Sequence, residues 1–294
     1  MHSKQATRDG QASLGRMESL RLVDQWPVGS AAAGVVRRDG TVAGTHGPAD
    51  RPFRLASVTK LLTSYAVLVA VEEGALELDD PAGPDGSSVR HLLAHTSGLA
   101  FDEARPAAAP GTRRLYSNAG FDVLAETVAK ATGMPFAQYA AEAVFTPLGM
   151  TATGFDPAAR SQAGAGGVST LADLLRFAAE LQAPRVLHPS TVAEATLRVA
   201  FPGLNGVLPG LGHQRPNDWG LGFEIRDGKS PHWTGARSSA RTFGHFGQSG
   251  TFLWVDPDAG LACVCLTDRD FGPWAVEAWP AFTDAVLAEA TPVG

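Results

Sequence analysis

A serine followed three residues later by a lysine, Ser57-Val58-Thr59-Lys60, sets a hydroxyl nucleophile beside an amine able to take its proton. Two further motifs come later in the chain, Tyr116-Ser117-Asn118 and His245-Phe246-Gly247. A tyrosine can relay a proton, and a strand edge next to a glycine can offer a backbone N–H to a developing oxyanion. Each motif is weak alone. With 17 Ser and 4 Lys in 294 residues, about 0.2 Ser-x-x-Lys matches arise by chance. For Tyr-x-Asn the number is about 0.03 and for His-x-Gly about 0.9. The first two motifs, their order and their placement therefore carry the argument.

The elements that must hold these residues are legible from pattern. Val58 to Glu73 has apolar residues at helical spacing, Leu61, Leu62, Tyr65, Leu68 and Val69, and Gly74 stops it. Ser57 falls at the N-terminus of that helix, where unpaired N–H groups and a partial positive charge favour an alkoxide or oxyanion. Lys60 lies one turn along on the same face. The plainer alternative is an N-capping serine with a solvated lysine. Tyr116 sits in a loop, Gly111 to Gly120, held by an amphipathic helix from Phe121 to Ala131 that ends at Gly133 and Pro135. Its alternative is a turn built on Asn118 with Tyr116 packed beneath it.

The rest of the chain alternates less evenly. Met17 to Gln25 reads as a short helix, and the strands Ala31–Arg37 and Thr41–His46 flank the hairpin turn Asp39-Gly40. Strand patterns return at Trp219–Ile225, Thr242–Phe246, Thr251–Asp256 and Leu261–Thr267. A last apolar segment, Trp274 to Ala290, is a helix kinked or split at Pro280. Strands at both ends with a helical middle predict an α+β fold, an antiparallel sheet covered by N- and C-terminal helices with an inserted, mainly helical domain. The expected divisions are a disordered arm over 1–16, a sheet domain from 17–74 and 216–294, and the insertion over 75–215. No internal repeat is present.

The three motifs together resemble the serine β-lactamase and penicillin-binding-protein superfamily. With Tyr-x-Asn second and His-x-Gly third, the chain is most similar to the class C β-lactamase-related group, which includes D-alanyl-D-alanine peptidases and esterases. Four other stretches are similar to segments of that group: Gly74 to Pro81, Arg90 to Leu99, Phe145 to Met150, and Gly166 to Thr170 with Asp173-Leu174. The resemblance covers roughly residues 30 to 270 and implies a β-lactamase/transpeptidase-like fold with the active site between sheet and helical domain.

The chemistry expected is acyl transfer to Ser57. Lys60 and Tyr116 are the candidates to accept its proton; which one does so stays open, and they are expected to act as a coupled unit with pKa values converging towards neutrality. Tyr116 is the expected activator of the deacylating water, because Glu72 and Glu73 fall at the far end of the helix. The oxyanion hole would use the N–H of Ser57 and, as the resemblance implies, that of Gln248. Gly247 would let substrate approach the backbone, and Asn118 would bind its amide or ester group. His245 would leave a weak, pH-dependent attraction for a substrate carboxylate where the related motif often has a permanent lysine cation.

Composition sets limits. A net charge of −6 and the absence of a basic run speak against nucleic acid, and the longest apolar run, Ala66 to Val71, is too short to span a bilayer. Met1 to Gly15 has no apolar core of a secretory signal, so a cytoplasmic location is expected. Cys263 and Cys265, about 6.6 Å apart along a strand, read as two reduced core thiols. His91 and His95 have metal-compatible spacing but no third ligand, so they read as structural and no cofactor is expected. Trp219, Trp233 and Phe246 are candidates for an acyl pocket against ordinary packing, and Arg237 and Arg241 for a carboxylate contact against a solvated loop. The leading function is an esterase-like serine hydrolase acting on a small-molecule ester or amide. β-Lactamase or D-alanyl-D-alanine carboxypeptidase activity is the alternative, and a non-catalytic binding module on the same cleft is the alternative from another class.

Overall fold

Asp39 accepts hydrogen bonds from the N–H and hydroxyl of Thr41, at 2.9 and 2.6 Å, and Gly40 takes φ +83°. The expected turn therefore forms and joins strand β1 (Ala31–Arg37) to β2 (Val42–His46) in the computed structural model, which describes residues 17–290. The arm expected over 1–16 lies outside the described residues. From the C-terminal part come β3 (Glu224–Ile225), β4 (Phe243–Gly247), β5 (Thr251–Asp256) and β6 (Leu261–Thr267). They make one antiparallel sheet of order β2-β1-β6-β5-β4-β3, so the two ends of the chain meet where Ala31 pairs with Thr267.

Side chains alternate between two buried faces. Ala33, Val35, Trp254, Cys263 and Cys265 pack with Leu20, Val23, Trp279 and Phe282 under the short N-terminal 3-10 helix Glu18–Gln25 and the C-terminal helix Pro273–Ala290. Both cysteines are free and buried there. Ala32, Leu253, Val255, Val264 and Leu266 face the other way into a larger core. Covering both faces explains why Leu261 to Thr267 is a continuous apolar run instead of an alternating one.

Helix α1 (Thr59–Glu72) runs through that larger core, and every residue from Thr59 to Ala70 is buried. A helix without a solvent face has nowhere to expose a charge, and Lys60 is the one charged residue between Ser57 and Glu72. Helix α2 (Asn118–Thr132) packs beside α1, and helix α3 (Leu171–Gln182) lies across β1, β5 and β6. Gly34 leaves the room: a Cβ there would crowd Leu175 of α3 at 2.9 Å. No described helix is long and apolar enough to cross a membrane.

Three expectations need correction. The strand expected over Trp219–Ile225 shrinks to Glu224–Ile225. Gly222 sits at φ +87° and any Cβ on it or on Gly220 would overlap Ser64 or the Ala195 carbonyl, so this stretch turns to press against α1. The α2 helix begins at Asn118 instead of Phe121, because the Ser117 hydroxyl caps it by accepting from the Gly120 N–H at 3.0 Å. The C-terminal helix is one element with Pro280 inside it, so the chain is not split there.

Candidate active site

A single 3-10 turn, Ala56–Val58, leads into α1, and Ser57 lies in it. Ser57 does not cap the helix: no side chain does so at either start. Its hydroxyl stands 3.4 Å from the Lys60 amine. The capping alternative is overturned, and so is a solvated Lys60, which is fully buried.

Lys60 donates to the Asn118 side-chain carbonyl at 2.6 Å and to the Gly164 backbone carbonyl at 2.7 Å. Neither acceptor carries a charge. A neutral amine has two N–H groups and one lone pair, so these two acceptors leave the lone pair for Ser57 Oγ. Burial lowers the Lys60 pKa to about 7, with Asp122 and Asp102 holding it from falling further. The expected drift towards neutrality holds for this residue.

It fails for Tyr116. Burial raises the phenol well above its usual range, and the nearby Ser57 hydroxyl offsets this only in part. The reason is geometric: Lys60 Nζ lies 4.6 Å over the ring centroid, on the face, so the cation does not meet the phenolic oxygen. That oxygen is 3.0 Å from His245 Nε2. His245 Nδ1 is 2.5 Å from the Phe246 carbonyl and must donate to it, so Nε2 is the acceptor and Tyr116 donates its O–H. Burial, then Lys60, lowers the His245 pKa to about 3. This imidazole stays neutral from mildly acidic pH upwards, against the expected titration near neutrality.

Asn118 is fixed from both sides. Its carbonyl accepts from Lys60, its NH2 donates to Asp102 at 2.9 Å, and one N–H remains for a ligand. Gly247 serves the chain itself as much as any ligand. A Cβ there would overlap the Leu55 carbonyl, which also accepts from Thr251 Oγ1 at 2.9 Å, while Ser249 Oγ donates to the Arg54 carbonyl at 2.7 Å. These contacts clamp the β4–β5 turn against the segment before Ser57. The N–H groups of Ser57 and Gln248 are thereby held on one side of the cleft, and among the described residues neither donates to the protein.

Several contributors had no sequence signal as site residues. Gly164 presents its carbonyl because Ser161 caps a four-residue helix there, and Asp102 and Asp122 act through space on Lys60. His95 was read as structural. Its ring packs 4.4 Å from that of Tyr116, and its Nδ1 accepts from the Ser117 N–H at 3.2 Å, which holds the Tyr116 segment in place. His91 is elsewhere, stacked on Phe201. No group of three metal-ligating side chains occurs among the described residues. Trp219 backs the site, 5.2 Å from the His245 ring, whereas Trp233 and Phe246 belong to the core under the terminal helices. The hollow beside Tyr116 is lined instead by Leu99, Phe101, Leu115, Val207 and Pro209. Arg241 is paired with Asp258 on the surface, and neither it nor Arg237 lines that hollow.

A serine hydroxyl beside a buried amine of lowered pKa, with an oriented phenol and two N–H groups that donate to no described residue, would suit acyl transfer. Comparison with known proteins agrees with that geometry. The fold matches the crystal structure of a beta-lactamase from Mycobacterium bovis with a TM-score of 0.91 and 59% identity, over 93% of this chain and 100% of that one. Esterase EstB of Burkholderia gladioli is 27% identical, over 81% of this chain and 83% of its own length. The D-alanyl-D-alanine-carboxypeptidase/endopeptidase AmpH of Escherichia coli (strain K12) is 31% identical over 145 residues, and the chain spans 38% of AmpH's length. The beta-lactamase family model matches residues 21–288, nearly the whole described chain, and the chain belongs to the beta-lactamase family.

Proposed function

We propose that the chain is a serine hydrolase that forms an acyl-enzyme on Ser57 and hydrolyses carboxylic esters with no carboxylate beside the scissile bond, in preference to β-lactams or peptides. The neutral, hydrogen-bonded His245 carries this preference. A lysine in its place would face the cleft with a permanent cation and attract the carboxylate that β-lactams and peptide C-termini supply; His245 offers none. The similarity to an esterase along most of the chain supports the same reading.

In the proposed reaction Lys60, as a neutral amine, accepts the Ser57 proton while Oγ attacks the acyl carbonyl. The carbonyl oxygen becomes an oxyanion and receives the N–H groups of Ser57 and Gln248. The Lys60 ammonium then supplies the proton that the leaving alkoxide needs, and the Tyr116 hydroxyl, oriented by His245, stands beside that path as a hydrogen-bonding partner. Water enters against the acyl-enzyme, the same groups remove its proton, and Ser57 is released. Burial holds the phenol protonated, well above its usual range, so it is not the resting base and Lys60 takes the first proton.

The test pairs a short-chain p-nitrophenyl ester with a chromogenic cephalosporin, assayed side by side, together with fluorophosphonate labelling. The expected outcome is a clearly higher kcat/KM on the ester, and a Ser57→Ala variant that folds but neither turns over nor labels. An adduct on Ser57→Ala would sink the mechanism. The second reading, a β-lactamase, is favoured by the Mycobacterium bovis protein described under that name. Faster turnover of the cephalosporin than of any ester would put it in first place.

A further inference from the structure

The hollow beside Tyr116 has a volume of about 600 Å³, the range of small-molecule sites, and Tyr116 forms part of its wall. Its floor is apolar. Phe101 and Val207, 53% and 56% exposed, are two of four large apolar side chains so exposed among the described residues. Such groups are costly to leave in water and gain by covering an apolar ligand. The ionisable residues that line the hollow are all of basic type, Arg113, Arg114 and His213, and none is acidic.

Arg114 is already committed. Its buried guanidinium donates to the backbone carbonyls of Asn217, Ala94, Ala200 and Phe201. Arg113, the residue before it, is exposed and makes no hydrogen bond or ion pair with any described residue. His213 accepts from Arg215 Nε at 3.3 Å, which brings another cation to the same rim. Of the acidic side chains that follow Phe101, Asp102 is bound by Asn118 and faces Arg160, and Glu103 is paired with Arg105. On the Gln248 side the 410 Å³ hollow is mixed in charge, with Arg51 paired to Asp268, and offers an anion no such rim.

We infer that this hollow is a subsite for an apolar chain ending in a carboxylate, which runs from the reacting ester along Phe101 and Val207 to the Arg113 rim. The inference rests on the esterase reading and narrows it to amphipathic acidic esters. It differs from the carboxylate contact of a β-lactam, which lies next to the scissile bond; here the anion sits at the far end of the chain. The carboxylate can belong to the acyl part or to the alcohol part of the ester, and both place the same chemistry in the hollow.

The experiment compares kcat/KM within matched pairs. The acyl arm uses mono-p-nitrophenyl suberate against p-nitrophenyl octanoate; the alcohol arm uses the acetate esters of omega-hydroxyoctanoate and of octanol. In at least one arm the acidic member should be preferred, with a ratio that falls roughly 5–10-fold in Arg113→Gln, partly returns in Arg113→Lys, and shrinks with added salt. Arg113 has no hydrogen bond or ion pair with any described residue, so melting temperature should follow the parent protein. If the neutral esters are turned over but neither arm favours the acid, or if Arg113→Gln leaves the ratio where it was, the subsite inference is wrong while the esterase reading stands. If no ester of any kind is turned over and Ser57 takes no acyl group, both fall together.

Discussion

Two lysines are buried among the described residues, Lys60 and Lys229, and they have opposite surroundings. Lys60 has neutral acceptors, a side-chain amide and a backbone carbonyl. Lys229 lies 2.5 Å from the Glu224 carboxylate and also donates to the carbonyls of Asp218 and Ile225. Burial depresses both amines, but Glu224 pulls Lys229 back, and Lys229 with His232 hold the Glu224 carboxyl well below its usual range although burial pushes the other way. Lys229 is thus a charged strut tying the edge strand β3 to the loop after it, and His232 and Trp233 complete the ring of donors around Glu224 at 3.1 and 2.9 Å. Lys60 is held as an amine near its titration point. Burial alone does not make a lysine a base; the charge of its partners decides.

The largest test of that contrast removes Lys60. Lys60→Ala and Tyr116→Phe should each lower kcat by about 10²–10⁴, and the double variant should be little worse than the poorer single, because both serve one proton path. Strictly multiplicative losses would separate them into independent actors. Lys229→Met should act on folding instead. It leaves Glu224 short of its cation and should cost about 3–5 kcal/mol in urea unfolding, much of it recovered when Glu224→Gln is added. A Lys229→Met protein that is as stable as the parent but inactive would erase the distinction.

A smaller effect sharpens it further. Acylation needs Lys60 without its extra proton, so kcat/KM should rise with pH through about 7 and level off above it. Asn118→Asp puts a carboxylate where a neutral carbonyl stands 2.6 Å from the amine. The charged form of Lys60 is then favoured, so the midpoint should move up by roughly 1–2 pH units. Activity at neutral pH should drop about tenfold as a result. A midpoint that stays in place in the variant would mean that another group sets the profile.

Much of this was legible in the chain. The strands Thr251–Asp256 and Leu261–Thr267 form at the expected residues, because a run of apolar residues bounded by turn signals leaves little choice of boundary. The structure brings Ser57, Lys60, Tyr116, Asn118 and His245 together, although they come from three stretches far apart in the chain. Trp219–Ile225 misled because its alternation is real but its two glycines are there to touch α1 and Ala195, a contact that no local pattern records. Tyr116 misled for a similar reason. Proximity of a lysine was inferred correctly, but whether a cation meets a phenol at its oxygen or on its ring face is a matter of angle.

Sequence by itself determined which groups are candidates to react and the helix and strands that carry them, since both depend on residue type and short-range spacing. It also placed Lys60 one helical turn from Ser57, but left its solvation open until the fold buried every face of that helix. Tertiary structure alone decided what those groups are chemically. The Gly164 carbonyl that fixes the Lys60 amine comes from 104 residues away, and the imidazole that turns the Tyr116 proton from 129 residues away. A pKa is set by dielectric and by the charge and direction of neighbours within a few ångströms, and those are properties of packing that residue types do not carry until the chain has folded.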